Sequence, residues 1–259
     1  MKITAEHINR LIELESAVRY QDAPAGGERP FVVCDGIGKV MLSAPHGAKT
    51  FRNNGEQVWH EEDEYTAGMA LLLQEVVNVP AIAMVSKSLH YDPNFTATCE
   101  YKDELRTVVT RKKIQYVIDL HGAALHSNKL DPEQTIDLGL RSKQESKYSL
   151  DVKHVRAFKG LLRVTDNSID RDCFVVKENR LSAGNSDTVT KFVNDLKITD
   201  TENRVQALQI EMKPQVRVVR RMPTATLYQS CGTYTADPLC VMHMLQALAD
   251  FIDYLNALE

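Results

Sequence analysis

The fold of this chain is decided by one short stretch of its sequence, Tyr116-Val117-Ile118-Asp119-Leu120-His121-Gly122. The apolar run at its start is typical of a strand that is buried on both faces of a parallel sheet. The stretch ends in a histidine and a glycine, and a buried strand has little use for an imidazole at its carboxyl end. In α/β proteins that end opens into loops where ligands and metals bind. We therefore predict that His121 lies at a functional edge of a sheet.

A second histidine follows a second predicted strand. Residues 39–43 form an apolar run that leads into Pro45-His46-Gly47. Neutral imidazole is the commonest protein ligand of zinc, so we predict that His46 and His121 bind one zinc ion per chain. Manganese and iron accept the same ligands and remain alternatives. Each histidine also has a structural alternative, because His46 could belong to a simple turn and His121 could pair only with Asp119.

The remaining pattern alternates between strands and helices. Apolar runs predict strands over residues 31–34, 39–43, 81–85, 116–120 and 205–210. Capping residues and apolar periodicity predict helices that begin near Thr4, Glu61, Glu100, Thr188 and Asp237. Strands that are separated by helices favour a largely parallel sheet covered on both faces. We predict an α/β protein of three layers (α/β/α) with a mixed, largely parallel sheet, in a single domain over residues 1–259.

The composition limits the class of partner and the compartment. The 259 residues include 31 Lys or Arg and 35 Asp or Glu, and the net charge of −4 gives no general attraction to nucleic acid or anionic lipid. The sequence has neither a membrane-length apolar run nor a signal-type core in its first residues, so we predict no membrane partner. The five cysteines are far apart. We therefore expect neither a disulfide framework nor a thiolate zinc site, and we expect a soluble cytoplasmic protein.

The third zinc ligand is predicted to be acidic. A catalytic zinc site normally has three protein ligands and one open position. Residues 61–64 are four successive acids, which repel one another unless a cation offsets their charge. Either Asp63 or Glu64 is therefore predicted to bind the metal.

Three further residues are assigned roles around this centre. Glu211 follows the apolar run 205–210, where an unpaired carboxylate is costly to bury, so it is either a general base or the partner of a nearby basic residue. Asp119 is expected either beside His121 or facing away into the sheet. His60 lies in a polar segment and is expected to be solvated or to support the ligands from behind.

The order of these motifs resembles that of the N-formylglutamate amidohydrolase family, whose fold is similar to that of zinc carboxypeptidases. The matching segments, which together span roughly residues 38–220, are Ser43–Gly47, Glu61–Thr66, Ser86-Lys87 with Asp92-Pro93-Asn94, Ile118–Gly122 and Gln209-Ile210-Glu211. By this resemblance zinc would be bound by His46, His121 and one acid of the Asp63-Glu64 pair. The resemblance also implies that Glu211 is the catalytic glutamate and that a mixed sheet of the phosphorylase/hydrolase-like type lies between helical layers.

One residue departs from the family pattern. Family members commonly have an arginine where this chain has Phe95, and a guanidinium is suited to bind a substrate carboxylate. The change indicates either a more apolar substrate or a replacement cation, for which Arg217 is the candidate. Lys87, where the family often has arginine, is expected to bind an anion or polarise a carbonyl, or else to be a surface lysine. Asn94 is either a turn residue or a donor to the substrate.

Together these patterns predict a zinc-dependent amidohydrolase that cleaves the C–N amide bond of a small N-acyl amino acid or short peptide. A metal-dependent esterase or phosphoesterase is the first alternative, although phosphoryl transfer often uses two metals and the sequence has few clustered ligands for a second. The second alternative is a metal-stabilised binding protein without turnover, which the change at Phe95 permits. The sequence predicts no oligomeric state.

Overall fold

A computed structural model describes residues 2–53, 57–167, 173–181, 183, 187–196, 204–226 and 237–258. Its helices are α1 (Ala5–Ser16), α2 (Thr66–Val77), α3 (Glu100–Lys112), α4 (Val152–Asn167), α5 (Val189–Asn194) and α6 (Pro238–Asn256). Its strands are β1 (Phe31–Cys34), β2 (Val40–Ala44), β3 (Thr50–Asn53), β4 (Gln57–His60), β5 (Ala81–Met84), β6 (Tyr116–Gly122), β7 (Ile136–Gly139), β8 (Val176–Glu178) and β9 (Gln206–Met212). Within these residues, none of the helices has the length and apolarity to span a bilayer.

The main sheet has the strand order β1-β5-β2-β6-β9-β7-β8. Its central strands β5, β2, β6 and β9 run parallel, whereas β1 is antiparallel to β5 and β7 is antiparallel to β9. Helix α2 connects β2 to β5, and α3 connects β5 back to β6 in the opposite direction. Right-handed crossovers therefore place these two helices on opposite faces of the sheet. This architecture confirms the predicted three-layer fold with a mixed, largely parallel sheet.

The parallel strands determine where a functional site can form. Parallel strands end at the same edge of a sheet, so the loops after β2, β5, β6 and β9 meet there. The five predicted strands correspond to β1, β2, β5, β6 and β9 to within two residues at each end. They were predictable because their residues are almost all apolar, and the strands β2, β5 and β6 are buried along nearly their whole length.

The acidic run before α2 is not the first turn of a helix, so that prediction is wrong. Helix α2 begins only at Thr66, because Tyr65 has a φ of 74°, in the left-handed region that does not continue a right-handed helix. The backbone N–H and the hydroxyl of Thr66 donate to the Asp63 carbonyl at 3.0 and 2.8 Å. The four acids therefore lie in a tight turn before α2, where their side chains can face a binding site.

The hairpin of β3 and β4 was not predicted. Its strands pair Thr50 with His60, Phe51 with Trp59, and Arg52 with Val58, and they form a separate two-stranded sheet. The strands are short and interrupted by polar residues, which hides their alternation. The dipeptide Asn54-Gly55 between them is a strong sequence signal for a hairpin and could have revealed it.

The prediction that the cysteines form no disulfides is wrong for one pair. Cys173 and Cys240 form a disulfide across 67 residues of sequence, while Cys34 and Cys99 are free and Cys231 lies outside the described residues. Wide spacing in the sequence argued against a disulfide, but the fold brings Cys173, three residues before β8, to Cys240 in the first turn of α6. The expectation of a cytoplasmic protein was based on the cysteines and on the lack of a signal-type core, and this bond weakens the first of these two arguments.

Candidate metal centre

Three chain segments bring His46, Asp63 and His121 together at the carboxyl edge of the sheet. His46 follows β2, His121 is the next-to-last residue of β6, and Asp63 lies in the turn before α2. All three side chains are buried. The centre therefore joins both predicted histidines to one of the two predicted acids.

The donor atoms of these residues converge on one point. Asp63 Oδ2 lies 3.4 Å from His46 Nδ1 and 3.2 Å from His121 Nδ1. The two imidazole rings meet edge to face, with centroids 4.9 Å apart. One ligand atom from each residue lies within 4.8 Å of the others. Two nitrogens and one carboxylate oxygen form a donor set that suits zinc and leaves a fourth position for water or substrate.

A carboxylate holds the far nitrogen of each imidazole. His46 Nε2 lies 2.7 Å from Asp92 Oδ1, and His121 Nε2 lies 3.2 Å from Asp119 Oδ2. A carboxylate on one ring nitrogen holds a proton there, so the other nitrogen is the one that gives up its proton to bind a metal ion, as in the carboxylate–histidine pairs behind zinc ligands. Asp92 and Asp119 therefore present both Nδ1 atoms to the centre. Of the two positions predicted for Asp119, the one beside His121 is observed.

The charges of the centre favour a cation. Burial alone would raise the pKa of the Asp63 carboxyl, but hydrogen bonds with His121 and His46 bring it well below its usual range. Burial alone would lower the pKa of His121, but the Asp119 carboxylate and Asp63 raise it well above its ordinary value. A buried ionised carboxylate between two imidazoles thus attracts positive charge. These residues fit a divalent ion such as zinc both in charge and in donor type.

The glycine after each histidine is required by close packing. A Cβ at Gly47 would lie 2.4 Å from the Met84 carbonyl oxygen, and one at Gly122 would lie 2.7 Å from Arg217 Cζ. Both distances are far inside van der Waals contact. The His-Gly pairs in the sequence therefore mark places where neighbouring elements approach the backbone directly beside a ligand.

The other candidate acid, Glu64, is engaged away from the two histidines. Its Oε1 accepts the Met222 N–H at 2.6 Å, and its Oε2 lies 3.2 Å from Arg221 Nε. Successive residues in a turn point in different directions, so only one of the pair can face the centre. The structure thus favours Asp63 over Glu64 as the acidic ligand.

Helix α1 supports the turn that carries Asp63. The buried carboxylate of Glu15 accepts the backbone N–H of Tyr65 and, at 2.8 Å, that of Gly68. The Tyr20 hydroxyl donates to the same carboxylate. Glu15 therefore satisfies N–H groups at the start of α2 that the helix itself leaves without acceptors.

Glu211 lies beside the centre on the neighbouring strand. It is directly opposite His121 in the register of β9 and β6. Gln209 Nε2 donates to its Oε1 at 2.6 Å. Burial raises the pKa of the Glu211 carboxyl, and the nearby His121 only partly opposes this effect. A carboxyl with a raised pKa beside a metal centre suits proton transfer near neutral pH.

The basic residues near Glu211 in sequence are held elsewhere. Lys213 Nζ donates to the carbonyls of Asp131 and Pro132, each at 3.0 Å. Arg217 is fully buried, and its Nε donates to the Met212 carbonyl at 2.8 Å. In these contacts Lys213 and Arg217 donate to backbone carbonyls, whereas Glu211 accepts from Gln209.

A cleft opens over the centre. Its inner part has a volume of about 360 Å³ and is lined by the three candidate ligands and Glu211. Its outer part has a volume of about 580 Å³. Arg52, His60, Lys129 and Leu181 line both parts, so the two form one continuous space. This space is large enough for a small molecule and lies directly on the candidate metal ligands.

The residues predicted to bind substrate are only partly brought to this cleft. Asn94 lines its inner part, where Oδ1 accepts the Val189 N–H at 2.7 Å and Nδ2 lies 3.1 Å from His121 Nε2. Lys87 Nζ lies 4.0 Å from the centre of the Trp59 ring and lines a different cavity. Arg217 contacts backbone carbonyls below the sheet edge. The structure thus supports Asn94 in the cleft but neither Lys87 nor Arg217.

Two residues of the hairpin support the site: Arg52 was not predicted, whereas His60 takes the supporting position that was one of its two predicted alternatives. The ring of His60 stacks on that of His46 with centroids 4.1 Å apart, and its Nδ1 donates to the Glu61 carbonyl at 2.8 Å. Burial lowers the pKa of His60 to about 3, so this imidazole is neutral. Arg52 donates to Asp92 Oδ2 and lies over the Phe95 ring, 5.6 Å from its centre. Detecting either contact requires the hairpin and its place against the sheet edge.

Comparisons with known proteins support the fold. No protein-family model matches the sequence, and a search of curated proteins finds no significant match. The gene product Atu2144 from Agrobacterium tumefaciens is similar in structure, with a TM-score of 0.52 and 10% identity over 92% of this chain and 98% of that chain. A bacteriophage poly-gamma-glutamate hydrolase has a TM-score of 0.42 and 10% identity over 90% and 93%. The CwlD amidase from Clostridioides difficile, in complex with the GerS lipoprotein, has a TM-score of 0.40 and 13% identity over 84% and 98%. The likeness to Atu2144 shows a shared fold.

Proposed function

We propose that this protein is a zinc-dependent amidohydrolase that cleaves the C–N amide bond of a small N-acyl amino acid or short peptide. The observation that carries the proposal is the convergence of His46 Nδ1, His121 Nδ1 and Asp63 Oδ2 in a cleft that Glu211 also lines. Three protein ligands, an open position and an adjacent carboxylate base together suit metal-assisted hydrolysis. Membership of the N-formylglutamate amidohydrolase family stays a prediction.

His46, Asp63 and His121 would hold the ion. Zinc would supply Lewis-acid chemistry there, by polarising the amide carbonyl and acidifying a water molecule. Asp92 and Asp119 would keep the proton of each imidazole on Nε2, so that Nδ1 stays available. Among the described residues, the other group able to hold an ion is His46, His60 and Asp92, which reuses His46. Because Arg52 already places a positive charge on Asp92, we propose one ion per chain.

Glu211 would move the proton during hydrolysis. Gln209 engages its Oε1, so we assign Oε2 to accept a proton from the attacking water. Water oxygen then bonds to the carbonyl carbon, the C–N bond breaks, and Glu211 returns the proton to the departing nitrogen. General acid–base help of this kind typically contributes about 10²–10⁴-fold to the rate.

Two cationic side chains of the cleft would suit a substrate with a free carboxylate, beside the acidic side chains of Glu61 and Glu62 in its outer part. Arg52 and Lys129 line both parts of the cleft and supply cationic side chains on opposite chain segments, the hairpin and the loop after β6. Guanidinium and ammonium groups bind carboxylates by charge-assisted hydrogen bonds. An N-acyl amino acid carries such a carboxylate near its scissile amide, whereas most esters of simple alcohols do not.

Elemental analysis combined with an activity panel tests this proposal. We expect zinc near one ion per chain and release of free amino acid from N-formyl or N-acetyl amino acids, with both lost in His121→Ala. His126→Ala, at an exposed histidine, is the matched control and should retain both. Bound zinc without turnover of any amide would favour the binding-protein alternative, and two tightly held ions would favour a phosphoesterase.

A further inference from the structure

The outer cleft has an apolar wall that the proposed chemistry does not use. Val58 and Trp59 of β4 line it, and their side chains are 43% and 38% exposed. Several large apolar side chains are exposed in the described residues, and of these Val58 and Trp59 line the outer cleft. Exposed apolar residues grouped beside a reaction centre usually mark a binding surface.

The loop after β6 also contributes apolar side chains to the cleft, next to the polar side chains of Ser127, Asn128 and Lys129. Ala123 and Ala124 follow β6 directly after His121 and Gly122, and Leu181 reaches both parts of the cleft. The loop after β6 thus places small apolar side chains across from the hairpin. A group that lay between these walls would be next to the candidate ligands, because His60 on the same strand as Val58 stacks on His46.

The hairpin holds its apolar wall in a fixed position. Trp59 packs against Phe51 with ring centroids 5.2 Å apart, and the Lys87 ammonium covers its ring at 4.0 Å. Val58 pairs across the hairpin with Arg52, whose guanidinium is fixed by Asp92. An apolar surface therefore adjoins a cation, which matches a molecule that has an apolar group and a carboxylate on neighbouring atoms.

We propose that the substrate carries an aliphatic or aromatic side chain beside the scissile amide, and that Val58, which shares a face of the hairpin with Arg52, binds that side chain. This inference rests on the proposed amidohydrolase function and adds the substrate class. Burial of the group between the hairpin and the loop after β6 would exclude water from the adjacent amide. Val58 and Leu181 would offer an acidic or amide side chain no hydrogen-bond partner where they contact it.

Binding can be measured directly, because Trp59 is the only tryptophan of the chain. We would titrate zinc-loaded Glu211→Gln, which should bind without turnover, with N-acetyl-leucine, N-acetyl-asparagine and N-acetyl-glutamate, and follow tryptophan fluorescence. Leucine and asparagine side chains have nearly the same shape but differ in polarity. We expect N-acetyl-leucine to bind at least about 10-fold more tightly than the other two, in line with discrimination by hydrophobic pockets. Equal or weaker binding of N-acetyl-leucine, or no binding by any of the three, overturns the inference.

A matched pair of valine variants locates the subsite. Val58→Ser should reduce the preference for N-acetyl-leucine to less than about 3-fold, since it replaces an apolar contact by a hydroxyl. Val164→Ser, at a valine on α4 that is 68% exposed, should leave the preference unchanged. If both variants keep the preference, Val58 is not the binding surface.

The wild-type enzyme separates this inference from the function on which it rests. Faster turnover of N-acetyl-glutamate than of N-acetyl-leucine, judged by kcat/KM, would overturn the apolar subsite and leave the amidohydrolase in place. Failure to hydrolyse any amide would contradict the amidohydrolase, while the fluorescence titration would still decide whether the walls prefer an apolar group.

Discussion

Replacement of Asp92 by asparagine should weaken zinc binding although Asp92 is not expected to contact the ion. The carboxylate accepts from His46 Nε2 at 2.7 Å through Oδ1 and from Arg52 through Oδ2. Oδ1 also accepts the Asn94 N–H at 2.8 Å. An asparagine has one acceptor oxygen for these three donors, and its own amide N–H groups would face at least one of them. Either His46 loses its fixed orientation or a buried donor loses its partner.

Loss of such an outer partner typically costs about 10–100-fold in metal affinity, or about 1.4–2.8 kcal/mol. We expect a zinc dissociation constant raised by that factor, measured by competition with a chromophoric chelator. Asp103→Asn is the control, because Asp103 is an exposed acid of α3 whose nearby cation is Arg106. Circular dichroism would establish that both variants are folded. A folded Asp92→Asn protein with wild-type affinity would contradict the role assigned to the Asp92 carboxylate in supporting His46 as a ligand.

Further predictions address the base, the acidic ligand and the disulfide. Glu211→Gln should lower kcat by about 10²–10⁴-fold with zinc content unchanged; a parallel loss of zinc would instead make Glu211 a ligand. Asp63→Asn should lose zinc and Glu64→Gln should keep it, as measured by metal content per folded chain, and the reverse result would exchange their roles. Removal of the Cys173–Cys240 disulfide, which closes a separation of 67 residues, should lower the free energy of unfolding by on the order of 4 kcal/mol. Chemical denaturation of Cys173→Ser/Cys240→Ser would show this loss, and Cys34→Ser should not.

The central strands and both histidines of the centre could be predicted from the sequence because their signals are local. An apolar run that ends in His-Gly needs no knowledge of the rest of the chain. The same is true of β9, where Glu211 follows an apolar run and lies opposite His121 through strand pairing alone. Parallel pairing then brings the strand ends together without further information.

The supporting contacts could not be predicted because they join distant segments. Asp92 reaches His46 only after β5 has placed the loop that follows it beside β2. The choice between Asp63 and Glu64 depends on the left-handed turn at Tyr65, which the four-acid run does not reveal. Arg52 and His60 depend on the docking of a hairpin whose strands have little hydrophobic pattern. Lys87 was assigned by motif position, but its partner Trp59 lies on that same unpredicted hairpin.

The link from Glu15 to the turn before α2 has a consequence for the amino terminus. The first residues of a domain are often poorly ordered unless contacts with the rest of the chain hold them in place. Here a proteolytic cut after Ser16 that released α1 would deprive the N–H groups of Tyr65 and Gly68 of their acceptor, just beyond Asp63. Loss of bound zinc would therefore report the loss of α1, although α1 itself contributes no candidate ligand.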